Sequence, residues 1–424
     1  QVSRSLGEIG DNRSVPHLIE ALNDPDLLVK SATVVALGKI AHPDATQPLL
    51  QLLENPDLYD AIDGEVADAL FEIGDAALPV LLTYEHHESS HIRGIVARVL
   101  RGIQTKDSVK SLIRLLDDPD SRVRFDAVAS LGWSNNPNAL APLLAVAKND
   151  AEDEFVRIKA IETLGVFRTE AVFEYLLKTL NSSNVFFRAA AAISLGTQGN
   201  PAAVPQLIHV MKHSNGKLRL ETVNALSRIG DKRPVTDLID LYSTADAELR
   251  GMILGALNQI GSPEAIPVLL HGLEDPDFQV RQVAAWGLGR VGDGRATEAL
   301  LKEMEQLKRR EDRSRFWMAI VQIGSDSLDV LRNRLLNVRD SDDEIFIKNV
   351  CRMIKAIDEG AAFQLVEILE AAHSIAQSAI ISTLGSLGDS EAIEYIVPFL
   401  ESDELRETAI DALNKLGYEF SQDE

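Results

Sequence analysis

The stretch Asp118-Pro119-Asp120-Ser121-Arg122-Val123-Arg124, followed by Ala127 and Leu131-Gly132, decides the fold because it recurs along the chain. Its best copy is Asp275-Pro276-Asp277-Phe278-Gln279-Val280-Arg281, followed by Ala284 and Leu288-Gly289. Looser copies follow one another at steps of about 31 residues, each with a basic residue and an apolar residue seven positions later. The basic residues are Lys30, Arg93, Arg124, Arg157, Arg188, Arg219, Arg250, Arg281, Arg313 and Arg406. A fixed period of this length predicts a repeat protein.

Each repeat reads as two short helices, A and then B, with apolar residues at helical spacing. The B helix is opened by an Asp-Pro-Asp signal, since Asp is a preferred N-cap, and it is closed by Gly. We also interpret the Gly that follows each repeat leucine as a cap. A single pair cannot bury its own apolar stripe and must stack on neighbours. The sequence therefore predicts an all-α solenoid of about thirteen helix pairs.

The pairs follow one another without linkers, so we predict one continuous domain over residues 1–424. The first residues, Gln1 to Gly7, read as the end of a helix and indicate a truncated first repeat. The segment 304–313, which contains Lys308-Arg309-Arg310, lengthens one repeat and is a candidate insertion or kink.

Composition excludes several functional classes. The net charge of the 424 residues is −23, which argues against nucleic acid or an anionic membrane as the main partner, because both attract clustered Lys and Arg. No apolar run is long enough to span a membrane. Cys351 is the single cysteine, and its apolar neighbours predict a buried structural thiol. We expect a cytoplasmic protein.

We found no metal site in the sequence. His86, His87, Glu88 and His91 crowd one turn, but adjacent side chains cannot all face one ion on a helix, and no second cluster completes them.

The recurrent basic residue is predicted to pair with an acidic side chain of a neighbouring turn and so to form a ladder along the stack. The ladder breaks at Asp63, where an acid occupies the basic position. Tyr59, Asp60 and Asp68 surround this break. Structure alone does not account for an acid at this position, so we treat it as a candidate functional residue.

The positions one, five and eight after the basic residue vary and share one face of the B helix. This face and its neighbours carry flat apolar side chains, carboxylates and unpaired arginines. The candidate binding residues are Asp68, Phe71, Arg98, Arg101, Phe125, Trp133, Trp286, Phe316 and Trp317. Such a set suits a flat conjugated ligand with acidic arms, since aromatic rings hold its plane and arginines its carboxylates. A protein-binding groove also favours Trp and Arg, and it remains an alternative.

The repeat, with Val-Arg, Ala-Ala-Trp-Gly-Leu-Gly at 284–289 and its Gly-Asp turns, resembles the HEAT-repeat phycobilin lyases of cyanobacteria, of the E/Z type. The resemblance implies a right-handed solenoid whose B helices line the concave face. It implies a linear tetrapyrrole, such as phycoerythrobilin, as substrate rather than a cofactor, and a phycobiliprotein subunit as partner. Gly287 stands where those lyases often carry a second Trp. A second HEAT family, the di-iron hydroxylases, needs several His-Glu pairs on separate repeats, and the chain has His87-Glu88 alone.

A mechanism follows from this resemblance. Arg98 and Arg101 would bind the propionates, and Asp63 or Asp60 would hold the pyrrole N–H groups and protonate the chromophore. Tyr59 is a candidate second proton shuttle for isomerisation, while three aromatic residues would restrict ring geometry from further along the chain. They are Trp286, Phe316 and Trp317. The alternative function is a non-enzymatic HEAT-repeat scaffold or adaptor that binds a protein partner.

Overall fold

The computed structural model describes residues 1–307, 310–338 and 344–420, apart from the side chains of residues 59, 60, 310 and 311. The described residues form helices and their connecting turns. They divide into two compact units, unit 1 at Gln1–Ile229 and unit 2 at Gly230–Glu424, and each unit is described by itself.

Unit 1 contains a lone helix, α1, and seven helix pairs. Its helices are α1 Val2–Ile9, α2 Val15–Ala21, α3 Leu27–Ile40, α4 Thr46–Leu52, α5 Tyr59–Ile73, α6 Leu78–Tyr84, α7 Ser90–Leu100, α8 Lys106–Leu115, α9 Ser121–Ser134, α10 Pro137–Lys148, α11 Glu154–Leu164, α12 Glu170–Thr179, α13 Val185–Gln198, α14 Val204–His213 and α15 Gly216–Ile229. Even-numbered helices are A helices and odd-numbered helices are B helices.

Unit 2 contains six pairs in the same alternation. Its helices are α16 Val235–Tyr242, α17 Ala247–Ile260, α18 Ile266–Gly272, α19 Phe278–Val291, α20 Thr297–Gln306, α21 Arg310–Ile323, α22 Leu328–Leu336, α23 Glu344–Ile357, α24 Ala361–Leu369, α25 Ser374–Leu387, α26 Ile393–Ile396 and α27 Arg406–Lys415. Short 3-10 helices precede or extend several A helices and open α5. They are Asn12–Ser14, Pro43–Ala45, Pro56–Leu58, Gly74–Ala77, Pro201–Ala203, Pro263–Ala265, Gly294–Ala296, Gly324–Ser327, Ser390–Ala392 and Val397–Glu401.

Local sequence sets the helix ends as predicted. The Asp120 carboxylate accepts the Arg122 backbone N–H at the start of α9, and Asp277 does the same for Gln279 at the start of α19. Gly199 ends α13 in the left-handed region at φ 66°, where a side chain would be strained.

The core runs between the A and B helices within each unit. Successive B helices pack on one another, as α5 does on α3 and α7, and the leucine column that marks the repeat is almost completely buried. This confirms the predicted all-α solenoid, with thirteen helix pairs and α1 among the described residues. The single continuous domain stays a prediction.

The prediction that the glycine after each repeat leucine is a cap holds for Gly165, the C-cap of α11, but was wrong for the glycines that lie inside their helices. Gly38 and Gly289 lie inside α3 and α19, where a Cβ would stand 2.8 Å from the Cα of Ala69 or Ala319 on the next B helix. These glycines let neighbouring B-helix backbones approach closely.

The predicted ladder of basic side chains is present in part, since Arg157 pairs instead with Asp150 of its own turn. The Arg93 guanidinium donates to Asp118 of the next repeat at 2.7 Å and also to the carbonyl of His87 in its own turn. Arg124 bonds Glu152 at 2.6 Å, and Arg250 bonds Asp275 at 2.6 Å. Each such arginine thus ties its own A–B turn to the turn of the following pair.

The candidate insertion at 304–313 lies only partly in the described structure. Helix α20 ends at Gln306 and α21 begins at Arg310, while Lys308 and Arg309 lie outside the described residues. The Arg313 guanidinium donates to the Leu307 carbonyl, as the other ladder arginines do to their own turns. The kink stays a prediction.

Candidate functional site

A groove on the exposed face of α5 and α7 brings together five of the predicted residues. They are Asp63, Asp68, Phe71, Arg98 and Arg101. This cavity has a volume of about 340 Å³. A second cavity of about 180 Å³ adjoins it toward α9 and shares Asp63 and Arg98 with the first. The two together are called the B-helix groove here, and their size is in the range of small-molecule sites, roughly 300–1,000 Å³.

The acid that breaks the ladder is paired across the groove. His91, in the first turn of α7, places its Nε2 2.7 Å from Oδ2 of Asp63 on α5. In the other ladder pairs the basic residue lies on the earlier repeat, whereas in this pair the acid does. This contact of His91 was not predicted, because His91 was considered only as a metal ligand. The acid at 63 was nevertheless the signal for a basic partner one repeat later.

Asp126 on α9 is a second residue that sequence reasoning missed, because it lies two positions after Arg124 rather than one, five or eight. It lines the cavity that contains Asp63, His91 and Arg98. Gly94 makes room for it, since a Cβ there would lie 3.0 Å from its Oδ2. Burial raises the pKa of Asp126, and the nearby Arg98 charge partly offsets that rise.

The two arginines of the groove differ in their surroundings. Arg98 is exposed, and no carboxylate of the described residues forms an ion pair with it. Arg101 lies over the ring of Trp133 at 5.4 Å, a cation–π contact, and Trp133 itself is 70% exposed. Both positive charges are therefore available to an acidic group of a ligand.

Of the predicted aromatic residues of unit 1, Phe71 lines the groove and Phe125 lines neither of its cavities. Phe71 is 49% exposed and its ring covers Gly102, where a Cβ would lie 2.1 Å from a ring carbon. Phe125 is half-buried, with the Lys159 ammonium 5.5 Å from its ring centre. These rings offer flat apolar surface beside charged groups.

The other predicted aromatic residues belong to unit 2. Trp286 is 46% exposed, with Arg290 at 5.4 Å over its ring, and Trp317 is half-buried. The prediction that Phe316 contacts a ligand was wrong. Phe316 is fully buried and its ring centre lies 6.4 Å from that of Phe278, because it occupies an inward position of α21.

The remaining predictions near the groove are settled only in part. Tyr59 and Asp60 fall in the first turn of α5, but their side chains lie outside the described residues. The histidines of the crowded turn have separate contacts, His86 with Glu85 at 3.2 Å and His87 stacked on Tyr84. Within the described ranges no group of three or more His, Cys, Asp or Glu side chains is placed to hold a metal ion.

Two further features lie outside the groove. Cys351 is fully buried, as predicted, and burial raises the pKa of its thiol to about 12. A cavity of about 910 Å³ lies between α24 and α26 in unit 2, beside the exposed rings of Phe363 and Tyr395. This cavity was not predicted from the sequence, because it lies on A helices, where no ladder break marks the repeat. None of the helices in the described residues is long and apolar enough to cross a membrane.

Comparison with known proteins agrees with this architecture. HEAT repeats match the chain in overlapping segments, residues 1–70, 60–131, 78–165, 150–216, 204–277 and 266–350. The chain belongs to the HEAT-repeat family. The solved structure of yeast importin-β has the same kind of fold, with a TM-score of 0.56 and 13% identity over 96% of this chain and 72% of that one.

Curated relatives fall into two kinds. The phycocyanobilin lyase subunit alpha of Nostoc is 28% identical over 36% of this chain and 59% of that protein. The deoxyhypusine hydroxylase of Candida albicans is 25% identical over 43% of this chain and 58% of that protein. The chain thus spans about three fifths of the length of the curated relatives it matches.

Proposed function

We propose that the chain is a phycobilin lyase that binds a linear tetrapyrrole in the B-helix groove and attaches it to a cysteine of a phycobiliprotein subunit in the cytoplasm. The observation that carries the proposal is the position of Arg98. This exposed cation, without an ion pair among the described residues, shares one groove with Asp63 and the exposed ring of Phe71. Similarity to a phycocyanobilin lyase subunit supports the same substrate class.

The groups of the groove match the parts of a tetrapyrrole. Arg98 and Arg101 offer charge-assisted hydrogen bonds to the two propionates. Phe71 and Trp133 offer faces against which conjugated rings can lie. A carboxyl group of the groove accepts hydrogen bonds from the pyrrole N–H groups and stabilises the protonated chromophore.

The reaction needs no nucleophile from this chain. The thiol of the acceptor protein adds to the exocyclic carbon–carbon double bond of the protonated chromophore. The S–H and π bonds break, an S–C bond forms at one carbon and a C–H bond forms at the other, and a groove carboxyl group carries the proton between them. The addition requires no oxidant. The single thiol of this chain, Cys351, is buried.

Absorbance spectroscopy tests ligand binding directly. Phycocyanobilin mixed with the protein should give a shifted long-wavelength band, and Arg101→Gln should weaken binding about tenfold, the usual cost of losing one hydrogen bond to a charged group. Arg290→Gln is a matched control, because Arg290 also lies 5.4 Å over a Trp ring. Phycocyanobilin dimethyl ester, which lacks the propionate charges, should bind the wild type and Arg101→Gln equally.

Transfer is then measured with an apo-phycobiliprotein subunit, by fluorescence of the covalent adduct on a denaturing gel. The absorption maximum of the product reports whether the lyase also isomerises the bilin. Absence of any band shift, together with stable capture of the apo-subunit, would instead support the adaptor function.

A further inference from the structure

Asp63 lines both cavities, but one of its oxygens is engaged by a neighbouring side chain and the other is buried. Its Oδ2 is held by His91 Nε2 at 2.7 Å, and its Oδ1 is buried without a hydrogen-bond donor among the described residues. In the cavity toward α9 a ligand would meet the imidazole of His91 beside this engaged carboxylate. This arrangement suits a role for Asp63 in orienting the ring of His91.

Asp126 has the opposite surroundings. It faces the cavity between α7 and α9, with its Oδ2 over Gly94, and no described residue donates a hydrogen bond to it. The charged and titratable groups that line the same cavity are Asp63, His91, Arg98, Asp120 and Arg122. Asp120 is occupied as the cap of α9, where its carboxylate accepts the Arg122 backbone N–H.

Partial burial without a hydrogen-bond donor carries an energetic cost for a carboxylate, and the rise in the Asp126 pKa expresses that cost. N–H groups of a bound ligand, especially of a cationic one, would offset it. Arg98 at the edge of the same cavity would at the same time hold an acidic arm of the ligand.

We propose that Asp126 is the carboxyl group that contacts the pyrrole N–H groups of the bound tetrapyrrole, whereas Asp63 acts through His91 as a positioning residue. The inference rests on the proposed function and assigns the roles within its site. It replaces Asp63 as the group expected to touch the chromophore.

The proton affinity of bound phycocyanobilin distinguishes the two carboxylates. A negative charge beside the pyrrole nitrogens stabilises the protonated chromophore and raises the pH at which its long-wavelength band disappears. Asp126→Asn should lower that pH by one unit or more. Asp63→Asn and His91→Gln should leave it within a few tenths of a unit while slowing transfer to the apo-subunit about tenfold or more, because they disturb orientation and not the counter-charge.

Asp107→Asn, an exposed carboxylate on α8 away from the groove, is the control for net charge, and circular dichroism checks the fold of each variant. An Asp126→Asn titration equal to wild type, or an equal shift in Asp63→Asn, overturns the assignment while leaving the lyase proposal intact. If the wild-type protein binds no phycocyanobilin, the proposed function fails and the inference with it.

Discussion

Gly38 on α3 lies directly against Ala69 on α5, so that a Cβ at Gly38 would stand 2.8 Å from the Ala69 Cα. Both contact atoms belong to rigid helices, and the helices would have to separate. We expect Gly38→Ala to lower the free energy of unfolding by about 1–3 kcal/mol, the usual cost of overpacking a core. Gly64 on α5 has no atom within 4 Å of its Cβ position, so Gly64→Ala should stabilise by up to about 1 kcal/mol. Urea unfolding measures both, and equal effects would contradict the close-packing explanation.

The ladder pair Arg93–Asp118 should matter far more than an exposed pair of similar geometry. The Arg93 side chain is 11% exposed, and its loss leaves Asp118 buried without its partner. Arg93→Ala should therefore cost about 3 kcal/mol or more. Arg13, paired with Asp11 but 91% exposed, provides the control, and Arg13→Ala should leave the urea midpoint unchanged.

Substitutions of Phe316 and Trp286 should differ in how much they lower the stability of the protein. Phe316→Ala removes a fully buried ring and should destabilise by about 3–5 kcal/mol. Trp286→Ala removes a half-exposed ring and should cost much less. Thermal unfolding followed by circular dichroism makes the comparison, and a small effect of Phe316→Ala would contradict its place in the core.

The half-buried carboxyl group of Asp126 predicts a pH dependence of stability. Because its folded pKa lies above the unfolded value, the folded state binds the proton more tightly, and this group favours folding less as the pH rises through that range. Asp126→Asn should therefore raise the melting temperature at pH 7 relative to wild type and have little effect below pH 3.5. A benefit of the substitution that is equal at both pH values would contradict this account.

Cys351 should react slowly with thiol reagents in the native protein. Burial raises its pKa to about 12, so the reactive thiolate is scarce at pH 8 as well as inaccessible. A disulfide exchange reagent should label it at least a hundredfold faster in denaturant. Rapid labelling of the folded protein would show that α23 opens readily.

The repeat itself could be read from the sequence because each of its signals is local. The Asp cap at 120, the basic residue at 124 and the leucine at 131 lie at a fixed spacing along one helix and its turn, so that spacing alone predicts the repeat. Asp63 was found because it departs from that spacing, whereas Arg98 and Arg101 were found because they lie on the variable face of the B helix. His91 and Asp126 were missed since their roles depend on contacts between repeats, and Phe316 was misplaced because exposure differs between adjacent positions of a helix.

The stacking of each B helix on the B helix of the next pair has a kinetic consequence. In unit 1 the packed partners, such as α7 and α9, are separated along the chain by a single A helix. Proteins built from such local contacts fold quickly, and repeat arrays can begin to fold at any pair and extend from it. Refolding of unit 1 should therefore start at several places and pass through partly folded species, without waiting for distant segments to meet.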